Sequence, residues 1–184
     1  MSEPTRPETL PGDLSPEERI DRYIRVDHAG EYGATRIYSG QIAVLGRGRH
    51  GPTLQHMLEQ EEVHRATFED LIRKRRVRPT ALLPVWHVLG FALGAGTALL
   101  GSRAAMACTV AVEEAIDEHY AGQRDTLGED EADLRDVIEK FRQEELEHRD
   151  IGIANEAEMA PAYRLLYGAI KKGCKAAIWI SERV

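Results

Sequence analysis

The sequence is poor in cysteine and has no excess of positive charge. Only Cys108 and Cys174 occur among 184 residues, and they do not form a CxxC or other metal-type spacing. This favours reduced thiols over a disulfide and excludes a cysteine-bound iron–sulfur centre. Acidic residues number 31 against 24 basic ones, a net charge of −7. That balance argues against a nucleic-acid partner, because phosphate binding needs a basic surface.

Targeting signals are also lacking at the N-terminus. The opening MSEPTRPETLPGD has neither the apolar core of a signal peptide nor the Arg-rich, acid-poor composition of a transit peptide. We therefore expect a disordered leader over residues 1–14, a folded domain over residues 15–184, and a protein that works where it is made. The length fits one domain of ordinary size.

Alternating β-type runs and Asn-Gly or Asp-Gly hairpin signals are absent, so the sequence predicts an all-α fold. A capping box at Ser15 to Glu18 begins a first helix that ends near Leu45. The other predicted helices are Gly51 to about Arg76, an apolar segment over 82–101, Ser102 (as N-cap) to Leu127 with Gly128 as the stop, Glu131 to Asn155, and Pro161 to nearly Val184.

The apolar segment 82–101 has no formally charged residue and is close to the ~20 residues that span a bilayer. Pro84, His87 and four glycines weaken its helix, so a buried core helix, an interfacial element and a true span all remain open. The stripe Gly90-xxx-Gly94-xxx-Ala98 is typical of close helix packing and suggests pairing between two copies of the chain.

The last predicted helix, residues 161–182, is amphipathic with a basic polar face that includes Lys171, Lys172 and Lys175. Such helices are typical of membrane surfaces, although packing onto a bundle produces the same apolar stripe. Together with segment 82–101, this helix favours peripheral attachment to a membrane.

Two helices share a glutamate followed three residues later by a histidine, a spacing that puts both side chains on one helical face. Each pair interrupts an apolar stripe, as do two single glutamates on other helices. The order is Glu31, Glu61-x-x-His64, then Glu113, Glu145-x-x-His148, with separations of 30 and 32 residues between the glutamates of each half.

This internal repeat predicts that four carboxylates and two imidazoles converge in a bundle and bind two divalent metal ions. The oxygen-rich set favours iron or manganese over zinc. An ion-pair network of the same residues is the alternative, and Glu114 is an alternative to Glu113. Tyr120, two turns after Glu113, and its neighbour His119 are candidates for gating electrons or protons, while a core tyrosine with a satisfied hydroxyl fits equally well.

Several stretches resemble the demethoxyubiquinone hydroxylase family, which is ferritin-like, from about Asp21 to the C-terminus. They are RVDHAGEYGATRIYSGQ, EQEEVHRATFEDL, MACTVAVEEAIDEHYAGQ, FRQEELEHRDIG and APAYRLLYGAIKKGCKAAIWISERV. The segment HAGEYGA around Glu31 and the closing ISER are more specific than the metal ligands themselves.

The resemblance implies a ferritin-like four-helix bundle whose di-iron site uses O2 to hydroxylate a polyprenyl benzoquinol that lacks one ring oxygen. The implied iron ligands are Glu31, Glu61, His64, Glu113, Glu145 and His148, with Glu61 and Glu113 as candidate bridges. Electrons would come from NADH through a partner or from the reduced quinone, because no GxGxxG fingerprint follows a strand. The implied location is the cytoplasmic face of a bacterial inner membrane, or the matrix side of the mitochondrial inner membrane.

Lipid-presenting or other ubiquinone-biosynthesis proteins are expected partners, and a homo-oligomer remains open. The first alternative function uses the same bundle as a ferroxidase, an iron store or a peroxide scavenger. The second is a membrane-associated helical adaptor without metal.

Overall fold

The computed structural model describes residues 12–184, which fold into six α-helices without any β-strand. They are α1 (Pro16–Leu45), α2 (Gly51–Arg75), α3 (Leu83–Leu99), α4 (Ser102–Arg124), α5 (Ala132–Ala154) and α6 (Tyr163–Ser181), with short 3₁₀ turns at Glu129–Glu131 and Ala157–Met159. The all-α prediction is confirmed, whereas most of the predicted leader, residues 1–11, lies outside the described residues.

Local chemistry explains where the helices begin. The capping box is present at α1, since the Glu18 amide donates to the Ser15 hydroxyl and the Ser15 amide donates to the Glu18 carboxylate. The prediction that Ser102 caps α4 is wrong: Ser102 is the first helical residue and Gly101 is the cap. Gly101 has φ of 113°, a conformation that side chains disfavour, so a glycine is needed between α3 and α4.

Two other predicted ends shift by a few residues. Helix α4 stops at Arg124 rather than Leu127, because the amides of Thr126 and Leu127 both turn back to the carbonyl of Gln123. Gly128 therefore lies in the following loop. Helix α6 begins at Tyr163, two residues after Pro161, because the intervening Ala162 has the left-handed φ of 51°.

The helices form two similar units in chain order. Helices α1 and α2 make one antiparallel hairpin and α4 and α5 make another, and the two hairpins face each other as a four-helix bundle. Helix α3 packs along the outer side of α1, and α6 packs along the outer side of α4. The bundle confirms the ferritin-like architecture, with the two additional helices in equivalent places on the two units.

Two apolar clusters fill the bundle, one toward each end. The first includes Ile24, Phe68, Ile116 and Ile138. The second includes Tyr38, Leu54, Met57, Met106 and Val110. The buried glutamate and histidine side chains of the bundle, such as Glu31, Glu61 and Glu113, lie between these two apolar clusters.

Close backbone contact holds α3 against α1. A Cβ atom placed on Gly94 would lie 1.9 Å from the Ile37 carbonyl oxygen, and one on Gly90 would lie 2.9 Å from that of Gly33. The glycine stripe is thus occupied within the chain. The hypothesis that it pairs two copies of the chain loses its motivation.

Replacing Gly94 with alanine should destabilise the protein by at least about 1–3 kcal/mol, because the helices must separate to admit the methyl group. Gly96→Ala is the matched control on the same helix, since nothing lies within 4 Å of its added Cβ. The control should be neutral or stabilising by up to ~1 kcal/mol. Urea unfolding of both variants measures the difference, and equal stabilities would contradict the close α1–α3 contact.

Candidate metal centre

Six polar side chains meet in the buried middle layer of the bundle. Helices α1 and α4 each contribute one carboxylate, and helices α2 and α5 each contribute a Glu-x-x-His pair. They are Glu31, Glu61, His64, Glu113, Glu145 and His148, all buried. These are the six residues that the sequence predicts to converge, and the structure brings all of them together.

The six side chains divide into two groups in which all ligand atoms lie within 4.8 Å of one another. One group contains Glu31 and His64, the other contains Glu113 and His148, and both groups contain Glu61 and Glu145. Glu145, rather than the expected Glu113, therefore shares the central position with Glu61. This grouping favours Glu145 over Glu113 as the second shared residue, and adjacency across the two hairpins cannot be read from a linear sequence.

An approximate twofold symmetry relates the two groups. The Nδ1 atom of His64 lies 3.1 Å from a Glu145 oxygen, and the Nδ1 atom of His148 lies 3.1 Å from a Glu61 oxygen. Each histidine thus faces the glutamate of the opposite hairpin. The two halves of the sequence repeat therefore make equivalent histidine–glutamate contacts across the bundle.

Two tyrosines orient the single carboxylates in the same symmetric way. The Tyr38 hydroxyl of α1 donates to Glu113 Oε1 at 2.6 Å, and the Tyr120 hydroxyl of α4 donates to Glu31 Oε1. Burial and the nearby carboxylates raise the pKa of both tyrosines well above the ordinary value, so the hydroxyls stay protonated donors.

Sequence reasoning singled out Tyr120 but missed the equivalent role of Tyr38. Tyr38 follows Glu31 by seven residues, as Tyr120 follows Glu113. Applying the same two-turn spacing to the first half of the repeat would have identified it.

The outer nitrogens of both histidines contact acceptors from the opposite hairpin. Nε2 of His64 lies 2.6 Å from Glu144 Oε2, and Nε2 of His148 lies 3.0 Å from Gln60 Oε1. A carboxylate or amide oxygen only accepts, so each Nε2 carries a proton, and Nδ1 can offer its lone pair to a metal ion once it is deprotonated. Gln60 and Glu144 were not predicted, although each directly precedes the glutamate of a Glu-x-x-His pair.

Two other residues considered from the sequence, Glu114 and His119, lie outside the group of six central side chains. Glu114 contacts Tyr167 and Lys171 of α6, so Glu113 is the inward-facing residue. His119 contacts Asp27 at 3.1 Å and Gln123 at 2.8 Å, and its contacts do not include any of the six central side chains. Of the two residues predicted to gate electrons or protons, Tyr120 touches the centre and His119 lies one layer beyond it.

The central side chains fit a pair of cations. Both oxygens of Glu61, one oxygen each of Glu31, Glu113 and Glu145, and Nδ1 of His148 are buried without a hydrogen-bond partner. Buried polar atoms are normally satisfied, and unpaired buried carboxylates are costly. Four carboxylates and two neutral imidazoles balance the charge of two divalent ions.

The electrostatics show the same need for cations. Burial and repulsion from Glu145 raise the pKa of Glu61 and Glu113 well above the ordinary carboxyl value. Burial would also raise the pKa of Glu145, but the imidazoles of His148 and His64 close to it outweigh burial and hold this pKa at about 2. Protons must compensate part of the charge wherever metal ions do not.

An apolar pocket of about 490 Å³ lies between the outer helices and the bundle. Its walls come from α1, α3, α4 and α6, and include Gly30 and Val112, the sequence neighbours of Glu31 and Glu113. The pocket thus lies against the two helices that carry the single carboxylates, and its lining does not include any of the six central side chains. Its volume falls within the ~300–1,000 Å³ range of small-molecule sites. A larger groove, about 690 Å³, lies near the start of α1, is lined by charged residues and does not reach the centre.

The fold and the site together define the class: a four-helix bundle with a buried carboxylate–histidine centre able to hold two metal ions, beside an apolar pocket. A model of the family described as "Ubiquinone biosynthesis protein COQ7" matches residues 18–181. The chain belongs to this family.

Relatives from bacteria and eukaryotes carry names that refer to hydroxylation of a demethoxyubiquinol or demethoxyubiquinone. The chain is 64% identical over 181 residues to the 3-demethoxyubiquinol 3-hydroxylase of Rhodospirillum rubrum, covering 98% of this chain and 85% of the relative. It is 59% identical over 169 residues to the human mitochondrial NADPH-dependent 3-demethoxyubiquinone 3-hydroxylase, covering 90% and 78%. The mitochondrial 5-demethoxyubiquinone hydroxylase of Saccharomyces cerevisiae is 45% identical over 182 residues, with 90% and 78% covered.

The pKa shifts predict how the stability of the metal-free protein depends on pH. The raised pKa values of Glu61 and Glu113 mean that the folded state holds protons that the unfolded state releases above the ordinary pKa of 4.5, so stability falls as pH rises. Burial lowers the pKa of His64, but hydrogen bonds to Glu145 and Glu31 outweigh it and raise the pKa to about 12. The stabilisation that protonated His64 contributes is therefore lost progressively as the pH rises above 6.5.

The melting temperature of the metal-free protein should therefore fall between about pH 5 and pH 8. The low pKa of Glu145 acts only below 4.5 and does not oppose this trend. Excess Fe²⁺ or Mn²⁺ under anaerobic conditions should reverse the slope, because metal ligands must be deprotonated. Calorimetry with and without metal measures both slopes, and a metal-free melting temperature that rises over this range would contradict the assigned shifts.

Proposed function

We propose that this chain is a di-iron monooxygenase that hydroxylates the ring of demethoxyubiquinol, a polyprenyl benzoquinol, in a late step of ubiquinone biosynthesis. The observation that carries the proposal is the buried carboxylate–histidine centre, together with an apolar pocket that lies against two of the helices forming it, α1 and α4. A relative named 3-demethoxyubiquinol 3-hydroxylase that is 64% identical supports the choice of substrate.

In this proposal the six central side chains would hold two iron ions, and Glu61 and Glu145 belong to both groups of ligand atoms. The oxygen-rich donor set favours iron or manganese, and hydroxylation requires a redox-active metal. When bound, the iron pair supplies O2 activation, by which one oxygen atom enters the ring and the other leaves as water.

The protein's own side chains prepare this centre. Tyr38 and Tyr120 hold the outer oxygens of Glu113 and Glu31, so that each carboxylate keeps one oxygen directed inward. The apolar layers above and below keep bulk water from the reacting groups. Positioning and exclusion of water are therefore the protein's part in the reaction.

The pocket explains how a hydrophobic quinol reaches the centre. Its lining is almost entirely apolar, and Leu93 of α3 and Ile178 of α6 form opposite walls. In this proposal a substrate ring enters between α3 and α6 and reaches the centre past α1 and α4, the helices that carry Glu31 and Glu113. A soluble ferroxidase or peroxide scavenger has no use for such a pocket, which favours the hydroxylase over these alternatives.

Electrons must reach the centre from a reductant. The names of mammalian relatives include "NADPH-dependent", which favours a reduced nicotinamide as the ultimate source over the quinol itself. In this proposal Tyr120, which contacts Glu31, and His119, which contacts Asp27, form the route for electrons or protons between the surface and the centre.

The exposed faces of α3 and α6 suit the surface of a membrane. Leu165 and Trp179 of α6 are 75% and 58% exposed, and Leu99 at the end of α3 is 74% exposed. Arg164 and Lys172 of α6 are exposed as well and can face anionic headgroups. Among residues 12–184, no helix combines the length and apolarity needed to cross a bilayer.

We infer peripheral attachment through α3 and α6, on the cytoplasmic side of a bacterial inner membrane or the matrix side of the mitochondrial one. Several eukaryotic relatives are named as mitochondrial. Attachment would place the mouth of the pocket against the lipid, from which the substrate enters.

Charged substitutions on this face should weaken membrane binding. Leu165→Glu with Trp179→Glu should reduce flotation with phosphatidylglycerol-containing vesicles by at least about tenfold, because apolar area and headgroup attraction are both lost. Val63→Glu is the matched control, since Val63 is 57% exposed on α2, away from α3 and α6. Equal flotation of the double variant and the control would contradict attachment through this face.

Single turnover under ¹⁸O₂ tests the proposed reaction. The protein, loaded anaerobically with Fe²⁺ and given a reduced short-tail demethoxyubiquinone analogue, should yield product with one labelled oxygen by mass spectrometry. Glu61→Gln should lower the yield by more than the ~10–100-fold typical of outer-shell substitutions. Glu62→Gln removes the same charge from an exposed neighbouring position and should retain full yield. Iron oxidation without labelled product would instead support ferroxidase or peroxide chemistry.

A further inference from the structure

The twofold symmetry of the centre is broken in the residues that hold the histidines. The matched pairs are Glu31 with Glu113, Tyr38 with Tyr120, Glu61 with Glu145, and His64 with His148. The next pair differs in chemistry, since Gln60 precedes Glu61 where Glu144 precedes Glu145. Both residues nevertheless make the equivalent contact, each with Nε2 of the histidine on the opposite hairpin.

The two contacts differ in charge and in length. Glu144 Oε2 lies 2.6 Å from His64 Nε2, whereas Gln60 Oε1 lies 3.0 Å from His148 Nε2. A hydrogen bond to a carboxylate is shorter and roughly twice as strong as one to a neutral amide. The cation nearest to Glu144 on its own helix is Lys140 at 3.8 Å, too far for a hydrogen bond. The carboxylate therefore acts on the imidazole of His64.

A carboxylate that accepts the outer proton of a histidine increases the basicity of the nitrogen that binds the metal. His64 is then the stronger donor of the two histidines, and its position also carries one additional negative charge close by. The inner contacts correspond in that each single carboxylate has a tyrosine donor and each Nδ1 lies 3.1 Å from the shared glutamate of the opposite hairpin. They differ in that Nδ1 of His64 also lies 3.4 Å from its single carboxylate, Glu31, which adds to the negative charge at this position.

Building on the proposed metal centre, we propose that Glu144 makes the two metal positions inequivalent. The position formed by Glu31, Glu61, His64 and Glu145 fills first and holds a divalent ion more tightly. The position that contains His148, supported by the neutral Gln60, is the weaker one. Glu144 is a positioning residue, because it acts on the metal through His64.

Stepwise metal binding tests this proposal on the full-length metal-free protein. Anaerobic Co²⁺ titration, followed by visible absorption with a competing chelator, should give two binding steps separated by more than the statistical ratio of two identical sites. Glu144→Gln should weaken the first step by about 10–100-fold and bring the two steps together. Gln60→Glu should strengthen the second step.

Glu147→Gln is the matched control, because it removes the same charge from an exposed position on α5. It should leave both steps unchanged. A spectroscopic readout complements the titration: with ⁵⁷Fe²⁺ at both positions, the unmodified protein should give two Mössbauer quadrupole doublets, which should move toward a single doublet in Glu144→Gln.

The outcomes separate the two proposals. Two ions bound by the unmodified protein in statistically identical steps, or identical behaviour of Glu144→Gln and Glu147→Gln, would overturn the inequivalence and leave the metal centre standing. If folded, unmodified protein binds neither Co²⁺ nor Fe²⁺, the proposed function fails first. If Glu144→Gln does not fold, the titration of Gln60→Glu tests the proposal instead. An unchanged affinity of the second, weaker metal-binding step in that variant would reject the proposal.

Discussion

Four carboxylates lie fully buried in the middle of one helical bundle, and compensating their charge is the constraint on which the rest of the structure depends. Burial removes each glutamate from water, which disfavours its charged form, and each glutamate repels the other three. For both reasons the pKa values of Glu61 and Glu113 rise far above the ordinary value. Two histidines reduce this repulsion but leave several oxygens without a hydrogen-bond partner. Two divalent cations would satisfy those oxygens and balance the charge, which is why the buried carboxylate–histidine layer suits metal binding.

The surrounding layers follow from that constraint. Apolar clusters seal the centre at both ends, while tyrosines, an amide and a carboxylate fix the directions of the inner side chains. The outer helices α3 and α6 are attached in equivalent places on the two hairpins, and between them they leave an apolar pocket. Helix α3 reaches α1 closely enough to form the pocket wall because Gly90 and Gly94 have no side chains. In the proposed function a hydrophobic substrate would enter this pocket.

Much of this arrangement could be predicted from the sequence, since helical periodicity and the repeated Glu and Glu-x-x-His spacing are local properties. The six central residues and the all-α bundle are of this kind. Contacts between the hairpins are not local. Sequence spacing could not show that Glu145 shares the central position with Glu61, that Glu144 contacts His64, or that Gly94 packs against Ile37 within one chain. Helix ends were misplaced where single backbone conformations decide them, as at Gly101 and Ala162.

The asymmetry between Glu144 and Gln60 also shows how an internally repeated site can acquire two different positions by one substitution outside the ligands. The repeat preserves the inner donors and the tyrosines, and varies the residue that sets the basicity of each histidine. A centre built in this way can hold one ion firmly while the other remains more exchangeable, without any change in the ligand set.

The most direct test of the central claim is anomalous diffraction at the iron edge from crystals loaded anaerobically with Fe²⁺. We expect two anomalous peaks about 3.5–4 Å apart, the spacing of two-metal sites. One should lie beside Nδ1 of His64 and the other beside Nδ1 of His148, with Glu61 and Glu145 between them. A single peak, or two peaks away from these side chains, would contradict a dinuclear centre in the middle of the bundle.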